Sequence, residues 1–429
     1  MDPATISLGA LLLAIVVSCM VRLHVGFLAI SLAWIVGVYV GGMSAREVME
    51  GFPTRLFLTL TGVTLLFAQA QANGTLDRIA HGVVRHCRGN VGAMPIMFFF
   101  LAFALSSIGP GNIASTALVA PMAMAVAGQV GVPAFLMTIM VANGANAGGL
   151  SPIAPTGVIV NGVMAEIGLE GFETLTYFNN MTAHIVVAFL GYFLLGGWRL
   201  LGRHHAGTLK LPGVDAGDTS SAEAAAGFNR THWTTVGVIG TLLAGVIFFD
   251  VSVGLGAFAA AIVLSLLKAG DEVEAVKAIP WRVIMMVCGV TVLISVLDET
   301  GGLDLFTQLL AGLSTPESVT AVVAFSTGII SIYSSTSGVV LPAFLPTVPG
   351  LATTLGSDPL AIASAMNVGA HLVDVSALST LGALCMAAAP SHEDSRRLFN
   401  QLMVWGHSMA VVGAGVCFLL FTVLRIGLR

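Results

Sequence analysis

Residues 106 to 121, SSIGPGNIASTALVAP, load an apolar region with glycine, proline, serine, threonine and asparagine. A second stretch, SIYSSTSGVVLPAFLP at residues 331 to 346, combines helix breakers with small polar groups in the same way, 225 positions later. Both read as tips of broken helices buried in a membrane. Backbone freed from helical pairing survives at membrane depth only where protein or a water-filled cavity satisfies it, and such tips are where membrane carriers hold solutes and coupling ions.

The composition agrees. The 429 residues are 56% hydrophobic and 9% charged, with a mean hydropathy of +0.94, against roughly 25% charge in soluble domains. The chain therefore reads as an integral membrane protein, and its only long polar stretch is about residues 199 to 231. A net charge of −5 is too small to recruit a partner electrostatically, and nucleic acid is excluded on that ground. Cys19, Cys87, Cys288, Cys385 and Cys417 follow no paired spacing, so buried thiols are expected in place of disulfides. The N-terminus lacks the basic n-region of a signal peptide, so the first apolar run reads as a retained span.

Apolar runs at about 6 to 22, 26 to 42 and 55 to 72 suit spanning helices. Residues 75 to 89 place Arg78, His81, Arg85, His86 and Arg88 among apolar residues at helical spacing, as in an interfacial amphipathic helix. Two apolar halves around the GPGN break follow, a re-entrant hairpin at about 91 to 128 or two separate spans. A broken helix at about 133 to 167 and a span at 178 to 198 come next. The second half repeats this plan. FPTR at 52 to 55 matches IPWR at 279 to 282, and GTLD at 74 to 77 matches GGLD at 301 to 304, both at an offset of 227. Pro121 and Pro346, Gly144 and Gly369, Ser151 and Ser376, and Gly157 and Gly382 are each offset by 225. A constant offset through glycines, prolines and an arginine points to internal duplication.

The expected fold is an all-α polytopic membrane protein of two inverted repeats, each with three spans, a re-entrant hairpin, an interrupted span and a final span. Repeat 1 covers residues 1 to 200, a linker 201 to 231, and repeat 2 residues 232 to 429, with its hairpin at about 317 to 356 and its broken helix at about 360 to 388. An odd number of crossings per repeat inverts the copies. Placing 75 to 89 in the cytoplasm leaves 13 of the 17 Lys and Arg residues inside, which puts both termini outside the cell membrane and the linker, a flexible tether, in the cytoplasm.

No cation falls within either tip, so an anionic substrate would be held by half-helix N-termini with hydroxyl and amide help. The first tip offers Ser106, Ser107, Asn112, Ser115 and Thr116, and the second Ser334, Ser335, Thr336 and Ser337. Breaks at 142 to 157 and 366 to 382 would supply facing carbonyls, which with neutral side-chain oxygens suit sodium. Small residues also let membrane helices pack closely, the alternative reading of both tips and breaks. His371 and Asp374 are ionisable groups at membrane depth. At i and i+3 they would share a face, where the carboxylate could pair with the imidazole, take a proton or ligate a cation.

NIASTALVAP, with Asn112 followed nine residues later by Pro121, resembles the Ser-Asn-Thr hairpin motif of the divalent anion/sodium symporters of the ion transporter superfamily. The repeat plan agrees over nearly the whole chain, and the sequence looks most like bacterial dicarboxylate carriers of the MatC (malonate carrier) type. Gly111 and Ile113 stand where the motif has serine and threonine, and Ser337 and Gly338 where asparagine and threonine are expected. The resemblance implies a first sodium site from Ser107, Gly111, Asn112 and the 151 to 156 break. It implies a second from Ser337 and the 376 to 380 break, and a homodimer with a fixed scaffold and a moving transport domain. The expected substrate contacts are Gly111, Asn112, Ser115, Pro155, Thr156, Ser335, Thr336, Ser337, Ser379 and Thr380. The expected metal ligands are Ser107, Gly111, Asn112, Ser151, Ser337 and Ser376.

The function expected is sodium-coupled import of a small dicarboxylate, malonate or a C4 acid, by elevator-type alternating access. The alternative is proton-coupled transport of another organic anion through Asp374 and His371. A channel would need a continuous polar path. A hydrolase would need more than Ser376 beside His371, which no oxyanion signature accompanies.

Overall fold

The computed structural model describes residues 2–20, 23–84, 90–204, 228–249, 251–390 and 393–426. Repeat 1 supplies α1 (Pro3–Met20), α2 (Val25–Tyr39), α3 (Ala45–Glu50), α4 (Thr54–Ala72), α5 (Thr75–Val84), α6 (Ala93–Ser107), α7 (Gly111–Val130), α8 (Ala134–Gly149), α9 (Pro155–Glu166) and α10 (Glu173–Leu194). Repeat 2 supplies α11 (Arg230–Phe249), α12 (Val253–Leu266), α13 (Glu272–Ala278), α14 (Trp281–Glu299), α15 (Gly302–Gly312) and α16 (Val319–Ser331). A π turn (Thr336–Val340) then leads through α17 (Leu341–Phe344) to α18 (Val348–Leu355), followed by α19 (Pro359–Leu372), α20 (Thr380–Ala387) and α21 (Ser395–Cys417). Most of the expected linker, residues 205–227, and the end of the basic helix, 85–89, lie outside the described residues.

Six helices among the described residues are long and apolar enough to cross a membrane, and shorter apolar helices accompany them. Leu13, Phe27, Phe100, Leu190, Phe193, Leu255 and Phe248 are exposed on the outer surface, a lipid-facing arrangement that water would penalise. The protein is a multi-pass membrane protein. Cys288, Cys385 and Cys417 are buried thiols outside any disulfide, and Cys19 is exposed.

Local chemistry recurs at the repeat offsets. Ser44 caps α3 by accepting from Glu47 N, and Asp271, 227 positions on, caps α13 by accepting from Glu274 N. Pro53 and Pro280 open α4 and α14 with matching backbone, φ −79° and −76°. Gly131 and Gly356 end α7 and α18 in the left-handed conformation, φ 73° and 62°, where a side chain would be strained.

Packing is reciprocal as well. A Cβ on Gly144 would overlap the Phe99 carbonyl oxygen, and one on Gly369 the Ala324 carbonyl oxygen, both partners being 225 positions apart. Glycine thus lets α8 lie on α6, and α19 on α16, at backbone contact. Gly26 of α2 meets Gly289 of α14, while Gly62 of α4 meets Gly254 of α12. Elements of one repeat therefore grip the opposite elements of the other, as in a two-fold pseudo-symmetric contact. Gly26 lies at Met285 and Gly41 at Thr300, so α2 and α14 run parallel, whereas Gly51, just before α4, meets Ser295 near the far end of α14. The mates α4 and α14 therefore run in opposite directions, with Arg55 and Arg282 at opposite ends. α4 packs on α12 and α14 on α2, while α6, α8 and α10, and likewise α16, α19 and α21, pack among themselves.

Candidate functional site

Four half-helix N-termini meet beside α4 and α14. Repeat 1 contributes the start of α7, where Pro110 precedes Gly111, and the start of α9 at Pro155. Repeat 2 contributes the π turn, capped by Ser335 Oγ accepting from Gly338 N, and the start of α20, capped by Ser379 Oγ accepting from Gly382 N. The first N–H groups of such helices lack intrahelical partners, and each end carries about half a positive charge. The chain breaks here for local reasons. Pro110 and Gly109 part α6 from α7, and Leu150–Ala154 part α8 from α9. In both broken helices a glycine, Gly157 or Gly382, turns back onto the carbonyl of Ser151 or Ser376, where any side chain would collide.

Two adjoining cavities lie among these ends. The larger, of about 380 Å³, is lined by Asn112, Ser335, Thr336, Ser337, Ser379 and Thr380 of the expected substrate set, together with His371 and Asp374. The smaller, of about 200 Å³, is lined by Gly111, Asn112, Pro155, Thr156 and Ser337. Asn112 and Ser337 border both. Ser115 lines neither: it lies one turn beyond the start of α7, buried beneath Asn112, so it does not face the space expected of it.

The larger cavity also carries a cation. Arg282 lies in the first turn of α14 and lines the cavity with Met286, Tyr333 and Leu23. The signal available in the sequence was IPWR itself, a cation one residue inside a helix start opened by proline and repeated in FPTR.

Of the roles open to His371 and Asp374, mutual pairing is not the one adopted. The helix ends at Leu372, and the 3₁₀ turn Val373–Val375 turns the carboxylate away from the imidazole. Asp374 Oδ1 accepts from Thr336 Oγ1 at 2.6 Å, tying the second tip to the second break, while His371 Nδ1 meets the Asn367 carbonyl oxygen at 2.8 Å. The first tip is tied in turn: Asn112 Nδ2 donates to Asn146 Oδ1 at 2.8 Å, and Asn146 Nδ2 to the His371 carbonyl oxygen at 3.1 Å. Asn146 and His371 occupy the same repeat position, so the two broken helices bond to each other at equivalent residues. Sequence reading missed Asn146, whose partners lie 34 and 225 positions away.

Among the expected metal ligands, Ser107 and Ser151 come together: Ser151 Oγ donates to the Ser107 carbonyl oxygen at 2.7 Å, and Ser107 Oγ meets Tyr177 OH at 2.9 Å. Ser376 is buried outside both cavity linings, its Oγ without a partner. Ser106 and Ser331, repeat mates in the last turns of α6 and α16, also bury hydroxyls without partners, as do Ser115 and Thr116. No cluster of three acidic, histidine or cysteine side chains occurs among the described residues. The hydroxyls left without partners are neutral hard oxygens, the donor type that hard cations take.

Residues 1–149 match the family model described as the N-terminus of the dicarboxylate carrier protein MatC. No curated protein matches the chain. Among solved structures, the chain is similar to the YdaH transporter of Alcanivorax borkumensis, with a TM-score of 0.56 at 16% identity over 97% of this chain and 98% of that one. It is also similar to MtrF of Neisseria gonorrhoeae, described among antimetabolite efflux pumps, with a TM-score of 0.59 at 14% identity over 98% and 95%. At these identities the likeness concerns the fold.

Proposed function

We propose that this protein is a secondary active transporter importing a small dicarboxylate, malonate or a four-carbon acid, with sodium. The observation that carries the reading is the meeting of four half-helix N-termini around adjoining cavities, one of them bordered by Arg282. Together they supply donors and positive potential for a dianion without burying a row of cations. The match of residues 1–149 to a dicarboxylate carrier family and the likeness to two transporter structures support the same class. Asn112, Thr156, Thr336, Ser337 and Thr380 would orient the carboxylates, and the neutral oxygens near Ser107, Ser151, Ser337 and Ser376 would receive sodium.

The depth of the tips supports elevator-type motion. Gly109 of the first tip rests on Phe67, toward the far end of α4 from Arg55, and Gly338 of the second on Met286, one turn from Arg282. At 1.5 Å per residue, the second tip is about 6 Å from Arg282 and the first about 18 Å from Arg55. Exchanging the conformations of the two repeats would place the first tip near Thr59, the mate of Met286, a travel of about 12 Å along α4. By the distribution of positive charge, the present cavity opens toward the cytoplasm, with the linker on that side; the resemblance to divalent anion/sodium symporters adds an inverted-repeat homodimer.

Proton coupling remains the second reading, because Asp374 lines the cavity and bonds to Thr336 at the tip. Uptake of radiolabelled acids into proteoliposomes, with sodium and proton gradients imposed separately, tests both. Accumulation of malonate or a C4 dicarboxylate driven by sodium alone is expected. Absence of dicarboxylate flux under either gradient would sink the reading.

A further inference from the structure

His371 lines the larger cavity with one ring nitrogen already engaged. Its Nδ1 lies 2.8 Å from the Asn367 carbonyl oxygen, one turn back on α19. A carbonyl oxygen only accepts, so Nδ1 carries a proton and donates it. The imidazole is buried, and Nε2 has no partner among the described residues. No anion holds a second proton there: Asp374 is turned to Thr336, and Arg282, a like charge, borders the same cavity. A buried imidazolium without a paired anion is costly, so the ring is neutral and Nε2 presents a lone pair. The hydroxyls beside it are engaged, Thr336 Oγ1 donating to Asp374 Oδ1 and Ser379 Oγ to the Asp374 carbonyl oxygen. The other ionisable groups on the helices packed against α19 have partners of their own. On α10, His184 bonds to Asn143; on α21, Cys417 donates to the Ala365 carbonyl oxygen and His407 bonds to Tyr333.

We propose that His371 Nε2 accepts a hydrogen bond from an O–H group of the substrate, so that the transported acid carries one such donor beside an ionised carboxylate. This rests on the transport reading above and narrows its substrate. Two chemistries supply the donor: an alcohol, as in a 2-hydroxy dicarboxylate, or the remaining proton of a half-ionised dicarboxylic acid. In both, Arg282 and the half-helix N-termini take the ionised end while the O–H reaches Nε2. A second ionised carboxylate does not suit this spot, because it only accepts, and two lone pairs brought together in a buried contact leave both groups unsatisfied. Asp374, bordering the same cavity, adds another acceptor. Repeat 1 holds no counterpart: Asn146, the mate of His371, has its amide engaged with Asn112 and the His371 carbonyl oxygen. The selection therefore resides in the second broken helix.

The test measures half-saturation constants in proteoliposomes for two pairs of acids, tartronate against malonate and malate against succinate, over a pH series. Each pair differs by one hydroxyl. Where both carboxyls of every acid are ionised, the hydroxy acid should bind about tenfold tighter, the loss expected when a buried acceptor goes unmet. If the carboxyl proton is the donor, the constant for total malonate or succinate should instead rise about tenfold per pH unit above the acid's second dissociation. The first result assigns the alcohol and the second the half-ionised acid. Constants that are equal within each pair and flat with pH overturn the proposal. His371→Gln, which keeps an acceptor near the Nε2 position, should retain the preference or the pH slope, and His371→Phe should abolish it. A preference that persists in His371→Phe overturns the proposal as well. If that variant does not insert, the nitrogen-15 resonance of Nε2 in the wild-type protein decides: it should shift when the preferred acid binds, and an unmoved resonance overturns the proposal. Dicarboxylate uptake without discrimination sinks this inference alone, whereas no dicarboxylate uptake under either gradient sinks the transport reading with it.

Discussion

Asn112 holds more of the site than any other single side chain. It borders both cavities, donates to Asn146 and accepts from Ile113 N at 3.0 Å. Asn112→Ala should therefore abolish uptake while the protein still inserts, at a stability cost of about 1–3 kcal/mol for leaving Asn146 Oδ1 without its buried donor. Uptake at the wild-type rate by folded protein would remove the first tip from the site. Asp374 separates the two coupling readings. Under sodium coupling, Asp374→Asn loses the charge that orders Thr336 and weakens transport without changing its dependence on sodium. Under proton coupling, the same variant binds substrate but no longer accumulates it under a pH gradient.

At the level of elements, glycine brings α8 to backbone contact with α6, and α19 with α16. Gly144→Leu would force α8 from the Phe99 carbonyl, and Gly369→Leu would force α19 from that of Ala324. Overpacking of this kind costs about 1–3 kcal/mol. Each variant should lower the thermal midpoint in detergent by a similar amount, because the two contacts are copies. A large drop in one and none in the other would show that the hairpins contribute unequally to folding. The second hairpin differs where it matters for binding. Its π turn is capped by Ser335, whereas α7 starts after Pro110 with no side-chain cap. At the first tip the Ile113 N–H is instead taken by Asn112 Oδ1 of the same helix.

For the molecule as a whole, the sodium reading predicts uptake that rises steeply with external sodium, with a Hill coefficient above one if both sites couple. Full accumulation in sodium-free buffer under a proton gradient would dismiss it. Orientation is checked by cysteines introduced between residues 210 and 225. An impermeant thiol reagent should label them from the cytoplasmic side alone, and labelling from outside would reverse the assignment of faces and make the present cavity extracellular.

Composition by itself determined that this chain lives in a membrane, and the constant offsets of 225 and 227 determined that it is a duplication. Gly109, Pro110, Pro152 and Pro155 likewise announced where helices break, because a missing donor or a missing Cβ acts on its own backbone whatever surrounds it. What only the tertiary structure decided is which of these local events share a space. The meeting of Asn112, Asn146 and His371, the turning of Asp374 toward Thr336, and the entry of Arg282 into the cavity all join residues far apart in the chain. Neutral amides, hydroxyls and a lone arginine carry no periodicity that names their partners. Duplicated halves carry the same local signals, so only packing decides that Arg282, and not its mate Arg55, borders the larger cavity.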